Sequence, residues 1–256
     1  MVVPTRVTIG RGVVDVRDAP RDASELVDQV QYGEICVLLA RRAGWAYVQA
    51  EDHYFGWIPE NAAAAGPNTN GGHRIVAVPV AEVHERPDRG SPVLDRLPAG
   101  TWLPTHPKLD RSGWGWVSHG WIALDATVPS SELPHRPPMA DDLIATAEAF
   151  LGVPYLWGGT TALGLDCSGF VQQVYRLNGI RLDRDADQQA TEGREVGVPQ
   201  PGDLMFFGAK SVTHVALATG PRTFLHAPQS GAFVERSELS PARNVLAMRR
   251  YLPDPA

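Results

Sequence analysis

The chain of 256 residues is poor in cysteine and has no long apolar segment. Its two cysteines, Cys36 and Cys167, are too few for a disulfide framework and suit a reducing compartment. No segment reaches the ~20 apolar residues of a membrane helix. The first residues also lack the charged start, apolar core and cleavage site of a signal peptide. We therefore expect a cytoplasmic protein without a membrane partner.

Positive charge is scarce as well. Lysine occurs only as Lys108 and Lys210, and the formal net charge is −6 at pH 7, so nucleic acid is not an expected partner. The histidines and cysteines lack the spacing of zinc sites, and no phosphate-binding loop is present, so we predict no metal and no cofactor. With 43% hydrophobic and 20% charged residues the chain should fold fully, into two or three domains. The sequence does not predict the oligomeric state.

Cys167 lies where an amphipathic helix is predicted to begin. A glycine-rich segment, 152–159, precedes it, and apolar residues recur at helical spacing from Phe170 to Leu177. Asn178-Gly179 then predicts the end of the helix. The partial positive charge and unpaired N–H groups of a helix N-terminus stabilise a thiolate. The pattern therefore predicts a nucleophilic cysteine.

The alternative is that Cys167 is a small buried packing residue. An acidic neighbour, Asp166, and a hydroxyl neighbour, Ser168, favour the functional interpretation, because packing requires neither. Cys36 lies in an apolar strand-like segment, and there packing is the better interpretation.

A thiol nucleophile needs a base, and two downstream histidines are candidates. His214 begins a strand-like apolar run, and His226 ends the next short strand, so antiparallel pairing would bring the two imidazoles side by side. We predict that His214 is the general base and that His226 orients it. The other histidines are predicted to have surface roles: His53, His73, His84, His106, His119 and His135.

Residues 13–60 and 78–125 look like two copies of one unit. Gly44-Trp-Ala-Tyr-Val48 parallels Gly113-Trp-Gly-Trp-Val117, and Phe55-Gly-Trp-Ile58 parallels His119-Gly-Trp-Ile122. Short strands with glycine turns at this spacing predict two small all-β barrels, separated by a linker at 62–72 and followed by a proline-rich spacer at 128–138. Most of their tryptophans are interpreted as core residues rather than as a binding surface: Trp45, Trp57, Trp114, Trp116 and Trp121.

The segment from about Asp141 to Leu252 resembles the NlpC/P60 family of bacterial cell-wall cysteine peptidases, which are papain-like in fold. The matching motifs are Gly152-Val-Pro-Tyr-Leu-Trp-Gly-Gly159, Leu165-Asp-Cys-Ser-Gly-Phe170, Arg184-Asp185 with Gln188-Gln189, Pro201-Gly-Asp-Leu204, Thr213-His-Val-Ala216 and Leu225-His-Ala227.

The resemblance implies a catalytic set of Cys167 as nucleophile, His214 as base and His226 as third polar residue. It also implies that Tyr155 faces the nucleophile, where its hydroxyl can help to hold the oxyanion. Asp166 and Ser168 then flank the nucleophile where they can hold substrate.

The two N-terminal copies resemble bacterial SH3-like domains, and two of them before an NlpC-type domain resemble the dipeptidyl-peptidase VI branch. This resemblance implies hydrolysis of the γ-D-Glu to diamino acid bond in short murein peptides with a free N-terminal L-alanine. It implies that the first barrel closes one end of the cleft and that Glu25 and Tyr54 capture the peptide's ammonium, although Glu25 could equally be a solvated charge. Ala186 stands where several relatives carry serine, so a hydroxyl contact to substrate is absent.

We therefore predict an α+β chain: SH3-like barrels at 1–64 and 73–127, and a papain-like peptidase domain at 139–256. The predicted partners are murein tripeptide or tetrapeptide fragments, and a cytoplasmic location favours recycling over wall remodelling. A thiol amidase or acyltransferase on another substrate, a wall-remodelling hydrolase, or a binding protein without chemistry remain the alternatives.

Overall fold

Alternating buried and exposed residues form short strands throughout the first half of the chain. The computed structural model describes residues 5–64, 73–104, 112–117 and 119–253. The chain divides into two compact units, Met1–His135 and Arg136–Ala256. The first unit has strands and short 3₁₀ turns, whereas the second also has α-helices, so the predicted α+β class is confirmed. Within the described ranges, no helix is long and apolar enough to cross a membrane.

The first unit contains two groups of strands. The first group is β1 Thr5–Ile9, β2 Val13–Arg17, β3 Leu26–Gln31, β4 Ile35–Arg42, β5 Trp45–Gln49, β6 Phe55–Pro59 and β7 Ala63–Ala64. The second group is β8 His73–Val76, β9 Val80–His84, β10 Val93–Pro98, β11 Trp102–Pro104, β12 Trp114–Val117, β13 Gly120–Ala123 and β14 Thr127–Pro129. Short 3₁₀ turns lie at Glu60–Ala62, Leu124–Ala126 and Ser130–Glu132.

The two groups repeat one topology, as the sequence similarity predicts. The first forms a sheet of order β3-β2-β6-β5-β4-β1-β7, and the second forms sheets of order β10-β9-β13-β12 and β11-β8-β14. The strand orders correspond position by position. Each copy also has two successive residues with positive φ just before a strand that begins with tryptophan. They are Ala43 and Gly44 before β5, at φ 50° and 82°, and Ser112 and Gly113 before β12, at φ 50° and 88°. Positive φ at both positions is the signature of a type I′ turn.

Two expectations about these copies are wrong. The five tryptophans are half-buried and lie outside the two cores, which are formed mainly by valine, isoleucine, leucine and alanine. His84 is buried rather than on the surface. Its buried Nδ1 has a partner, the carbonyl oxygen of Ser91 at 3.1 Å. Cys36 is fully buried in the first core, as predicted.

The two copies are joined by specific contacts. Tyr32 of the first copy is buried in the core of the second. The backbone N–H of Gly12 donates to Asp95 Oδ2 at 2.8 Å, and His119 Nε2 lies 3.1 Å from the same oxygen. A Cβ atom on Gly12 would lie 2.0 Å from the carbonyl oxygen of Arg96, so only glycine fits this approach.

The predicted linkers are only partly described. Residues 65–72 of the first linker lie outside the described residues, as does His106. The second spacer begins later than predicted, because Val128 and Pro129 belong to β14 and pair with β8. The three predicted domain boundaries otherwise stay predictions.

The second unit packs helices on a six-stranded sheet. Its helices are α1 Ala140–Glu148, α2 Cys167–Leu177 and α3 Ala186–Gln189. Its strands are β15 Thr160–Thr161, β16 Gly164–Leu165, β17 Arg194–Glu195, β18 Leu204–Phe207, β19 His214–Ala218, β20 Thr223–His226, β21 Glu235–Glu238 and β22 Val245–Arg250. The sheet order is β17-β22-β18-β19-β20-β21. Apolar side chains of α2 and of the central strands form the core between them, as Phe170, Val174, Phe206, Val215 and Leu217 illustrate.

Candidate active site

Helix α2 begins at Cys167, as predicted, because Asp166 caps it. The Asp166 carboxylate accepts a hydrogen bond from the backbone N–H of Gly169 at 2.7 Å, which satisfies one donor of the first turn. The same carboxylate accepts from the N–H of Gly158 at 2.9 Å and so fixes the glycine-rich segment against the helix start. The helix ends at Leu177 before Asn178 and Gly179, which confirms the predicted stop.

A buried ion pair fixes Asp166 in turn. Arg184 is 2% exposed, and its Nη2 donates to Asp166 Oδ2 at 2.5 Å. Its Nη1 donates to the Ser168 hydroxyl at 2.9 Å. The carboxylate and hydroxyl that flank the thiol are therefore already held by protein groups. Substrate contact by Asp166 and Ser168 stays a prediction.

The thiol of Cys167 lies beside the first residues of β19. Backbone N–H groups of Val215 and Ser168 donate to its sulfur and lower its pKa. Burial and the charge of Asp166 act in the opposite direction and prevail, so they raise the pKa of the thiol to about 11. Burial and the Asp166 charge thus oppose the thiolate that the helix N-terminus favours, and we predict a neutral thiol at neutral pH.

The two histidines lie side by side, as predicted. His214 begins β19 and His226 ends β20, and His214 Nε2 lies 2.7 Å from His226 Nδ1. Burial lowers the pKa of His214 to about 3, helped by His226 and by the charge of Arg243. Burial and Arg243 lower the pKa of His226 to about 4. Both imidazoles are neutral at pH 7, so His214 is able to accept a proton.

Tyr155 lies near enough to Cys167 for the charges of the two groups to interact. Its backbone N–H donates to the carbonyl oxygen of Ala232 at 2.9 Å, which holds the segment that follows Gly152. Burial raises the pKa of its hydroxyl, and the charge that Cys167 takes on at high pH and the charge of Asp166 add to this effect. The phenol is therefore a neutral donor near the sulfur, where a developing oxyanion needs one.

Comparisons with known proteins find matches in both units. Residues 152–248 match the NlpC/P60 family, and residues 16–62 match the bacterial dipeptidyl-peptidase Sh3 domain. A gamma-D-glutamyl-L-lysine dipeptidyl-peptidase of Bacillus cereus is 31% identical over 257 aligned positions, which cover 91% of this chain and 77% of that protein. The chain belongs to the NlpC/P60 family.

Two further proteins align with most of the chain. Dipeptidyl-peptidase 6 of Lysinibacillus sphaericus is 28% identical over 237 aligned positions, covering 84% of this chain and 85% of that protein. A crystal structure of an NlpC/P60 family protein from Bacillus cereus superimposes with a TM-score of 0.84 at 25% identity, covering 97% of this chain and 100% of that one.

The family assignment identifies the chemistry of this NlpC/P60 protein. It is a cysteine peptidase. Cys167 is the one cysteine within the matched residues 152–248, since the other, Cys36, lies in the first unit. Among the described residues, no group of three or more His, Cys, Asp or Glu side chains is placed to hold a metal ion.

The two residues predicted to bind the peptide's ammonium lie in the first unit. Glu25 immediately precedes β3 and is exposed, and Tyr54 immediately precedes β6 and is half-buried. Both strands pair with β2, where Arg17 lies opposite Leu26 on one side and Trp57 on the other. Glu25 and Tyr54 therefore lie at corresponding ends of strands that flank β2.

Three residues near the histidines were not predicted from the sequence. Ser237 and Glu235 contact His226 from β21, and the Arg243 guanidinium lies 5.3 Å from the ring centres of both Phe207 and Phe224. The one available signal was the alternation on β21, since residues 235 and 237 share a face of the strand. The position of Arg243, in the connection from β21 to β22, gave no signal.

Proposed function

We propose that this peptidase hydrolyses the bond between γ-D-glutamate and the diamino acid of murein peptides that have a free N-terminal L-alanine. One observation carries the proposal: the Cys167 thiol, at the start of α2, accepts the N–H of the residue that follows His214. This contact supports a nucleophile and a neutral base that act together. The names of the relatives from Bacillus cereus and Lysinibacillus sphaericus support a cell-wall peptide as the substrate.

The first half-reaction forms a thioester. His214 takes the proton of the Cys167 thiol as the sulfur attacks the γ-glutamyl carbonyl carbon. The backbone N–H of Cys167, in the first turn of α2, and the Tyr155 hydroxyl stabilise the oxyanion. The C–N bond then breaks, and His214 gives its proton to the departing amine of the diamino acid.

The second half-reaction regenerates the thiol. Water attacks the thioester while His214 accepts one of its protons, and the C–S bond breaks. The sulfur recovers a proton from His214, and the γ-carboxylate of L-Ala-D-Glu is released. Throughout, the hydrogen bond between His214 Nε2 and His226 Nδ1 keeps the His214 ring in one orientation.

Recognition of the free amine falls to the first unit in this proposal. Glu25 supplies a carboxylate and Tyr54 a phenol, and together they bind the ammonium of L-alanine. Substrates without an ammonium, or with a blocked one, then lose this contact. Ala186 offers no hydroxyl to the substrate.

The test compares L-Ala-γ-D-Glu-L-Lys and its meso-diaminopimelate counterpart with their N-acetylated forms. Wild-type protein should cleave the free-amine peptides, and Cys167→Ala should cleave none while keeping its fold. Glu25→Gln should raise KM about tenfold for free-amine peptides, since a charge-assisted contact is lost. The matched control is Glu51→Gln, an exposed carboxylate of the same SH3-like copy, which should leave KM unchanged.

Each alternative has its own outcome in this assay. Equal cleavage of free and acetylated peptides would remove the ammonium pocket and favour a wall-remodelling hydrolase. Cleavage of neither would favour an amidase or acyltransferase on another substrate. The cytoplasmic location and the role in recycling stay predictions, and fractionation of cells that produce the protein tests them.

A further inference from the structure

The hydrogen-bonded line that begins at His214 continues beyond His226 onto β21. His226 Nε2 lies 3.1 Å from Ser237 Oγ and 3.6 Å from Glu235 Oε1. Ser237 Oγ in turn donates to Glu235 Oε1 at 3.2 Å. The antiparallel register places Glu235 directly opposite His226, so both side chains share one face of the sheet.

Burial differs along this line. His226 is 1% exposed, whereas the Glu235 side chain is 54% exposed. A buried imidazole needs hydrogen-bond partners within the protein for both ring nitrogens, because bulk water cannot reach them. The carboxylate at the other end reaches the protein surface. The hydrogen-bonded line therefore runs from the buried imidazole of His226 to the exposed carboxylate of Glu235.

The proton positions follow from the chemistry of the groups. An ionised carboxylate only accepts, so the Ser237 hydroxyl donates to Glu235 and offers its lone pair to His226. His226 then carries its proton on Nε2, and its Nδ1 accepts from His214 Nε2. The lone pair of His214 Nδ1 is left as the one ring position of His214 that can take up a proton.

We infer that Ser237 and Glu235 are positioning residues that fix the tautomers of His226 and His214 for proton transfer from Cys167. The inference rests on the proposed function and adds two residues to its machinery. A hydroxyl alone could donate or accept in either direction. The Glu235 carboxylate removes this ambiguity because it can only accept. The Ser237 hydroxyl must then donate to Glu235 and accept from His226.

Charge acts on the same line when His214 becomes protonated. The groups around the pair are Cys167 at the start of α2, Glu235 on β21 and Arg243 in the connection to β22. Arg243 lies over the Phe224 ring, whose centre is 5.0 Å from that of His226, and opposes a positive charge on the imidazoles. Glu235 offsets this repulsion. Its loss should therefore hinder formation of the imidazolium more than it disturbs the resting site.

The experiment uses four variants of the full chain. Ser237→Ala removes the hydroxyl, Ser237→Thr keeps it, and Glu235→Gln keeps an acceptor without the charge. The control is Glu238→Gln, an exposed carboxylate on the same strand. Nitrogen NMR of the histidine side chains reads the tautomers without substrate, and tripeptide hydrolysis gives kcat and KM.

Wild-type His214 and His226 should both show the Nε2-protonated tautomer. Ser237→Ala should mix the tautomers of His226 and lower kcat about tenfold, as expected for one lost hydrogen bond, with KM within about twofold. Ser237→Thr should restore kcat. Glu235→Gln should partly mix the tautomers of His226, because an amide can donate as well as accept, and should lower kcat about threefold, since the charge is lost. Glu238→Gln should match wild type.

Wild-type tautomers and kcat in Ser237→Ala would overturn the inference. A folded Ser237→Thr with the same loss as Ser237→Ala would do so as well, because the effect would then be steric. If wild-type protein cleaves no murein peptide, the proposed function fails, and the NMR measurement alone decides the inference.

Discussion

At the scale of single residues, burial decides the charge of the reacting pair. The pKa of the Cys167 thiol is raised to about 11, and the pKa of His214 is lowered to about 3. Two backbone N–H groups and Arg184 favour the thiolate, but they do not offset burial and the Asp166 charge. We therefore predict a neutral thiol and a neutral imidazole in the resting site, with charge separating only during attack.

This charge state can be measured directly. The ultraviolet absorbance of a thiolate, taken as the difference between wild type and Cys167→Ser, should be absent at neutral pH and should rise as the pH approaches about 11. A full thiolate signal at pH 7 would instead demonstrate an ion pair with His214 and contradict the neutral site.

Asp166 and Arg184 are buried as well, but they form an ion pair. Both side chains are buried, yet each meets an opposite charge and further hydrogen bonds. A buried ion pair adds little net stability, but loss of one partner leaves an unpaired charge in the protein interior, which is strongly destabilising. The pair therefore fixes geometry at the helix start rather than supplying stability.

At the scale of elements, local patterns predicted more than distant ones. The α2 boundaries, the start of β19 and the pairing of His214 with His226 followed from spacing and caps. Ser237 was missed because β21 is a short, exposed strand without apolar alternation. The tryptophans were wrongly predicted to be core residues, because large aromatic side chains are typical of cores. Valine and isoleucine fill the two small cores instead.

The turn between β4 and β5 gives a prediction about an element. Ala43 has φ 50°, in the left-handed region that costs a residue with a side chain roughly 1 kcal/mol. Ala43→Gly should therefore raise the free energy of unfolding by about 0.5–1 kcal/mol in chemical denaturation. Ala77→Gly is the matched control, because its φ is not positive, and it should lower stability. A loss of stability in Ala43→Gly would contradict the assigned turn.

At the scale of the whole molecule, each unit has its own response to pH. In the second unit, burial lowers the pKa of His214 to about 3 and that of His226 to about 4. An unfolded histidine titrates near a pKa of about 6.5. The unfolded chain therefore binds more protons below that pH, and the stability of the second unit should fall as the pH drops from about 6.5.

The first unit should respond at lower pH. Burial pushes the pKa of Asp95 upward, but hydrogen bonds from His119, Arg96 and Gly12 outweigh it and hold this pKa below its ordinary value. Its stabilising effect is present above the unfolded pKa of about 3.9 and is lost as the pH falls through the folded value. This carboxylate also joins the two SH3-like copies, which no local pattern could predict.

Hydrogen exchange across a pH series should separate the two responses. Amides of α2 and β19 should lose protection first on acidification, and those of β2 and β10 later. A His214→Asn variant should flatten the response of the second unit between about pH 6.5 and 4. Simultaneous loss in both units, with no change in the variant, would contradict this account.

The most direct test of the proposed function is to identify the cleaved bond. Wild-type protein is incubated in heavy-oxygen water with L-Ala-γ-D-Glu-L-Lys or its α-linked isomer, beside Cys167→Ala, and the products are analysed by mass spectrometry. We predict that only the γ-linked peptide is cleaved, with the heavy oxygen in the γ-carboxylate of L-Ala-D-Glu and none in the free lysine. Release of free alanine, or equal cleavage of the α-linked isomer, would contradict the proposal.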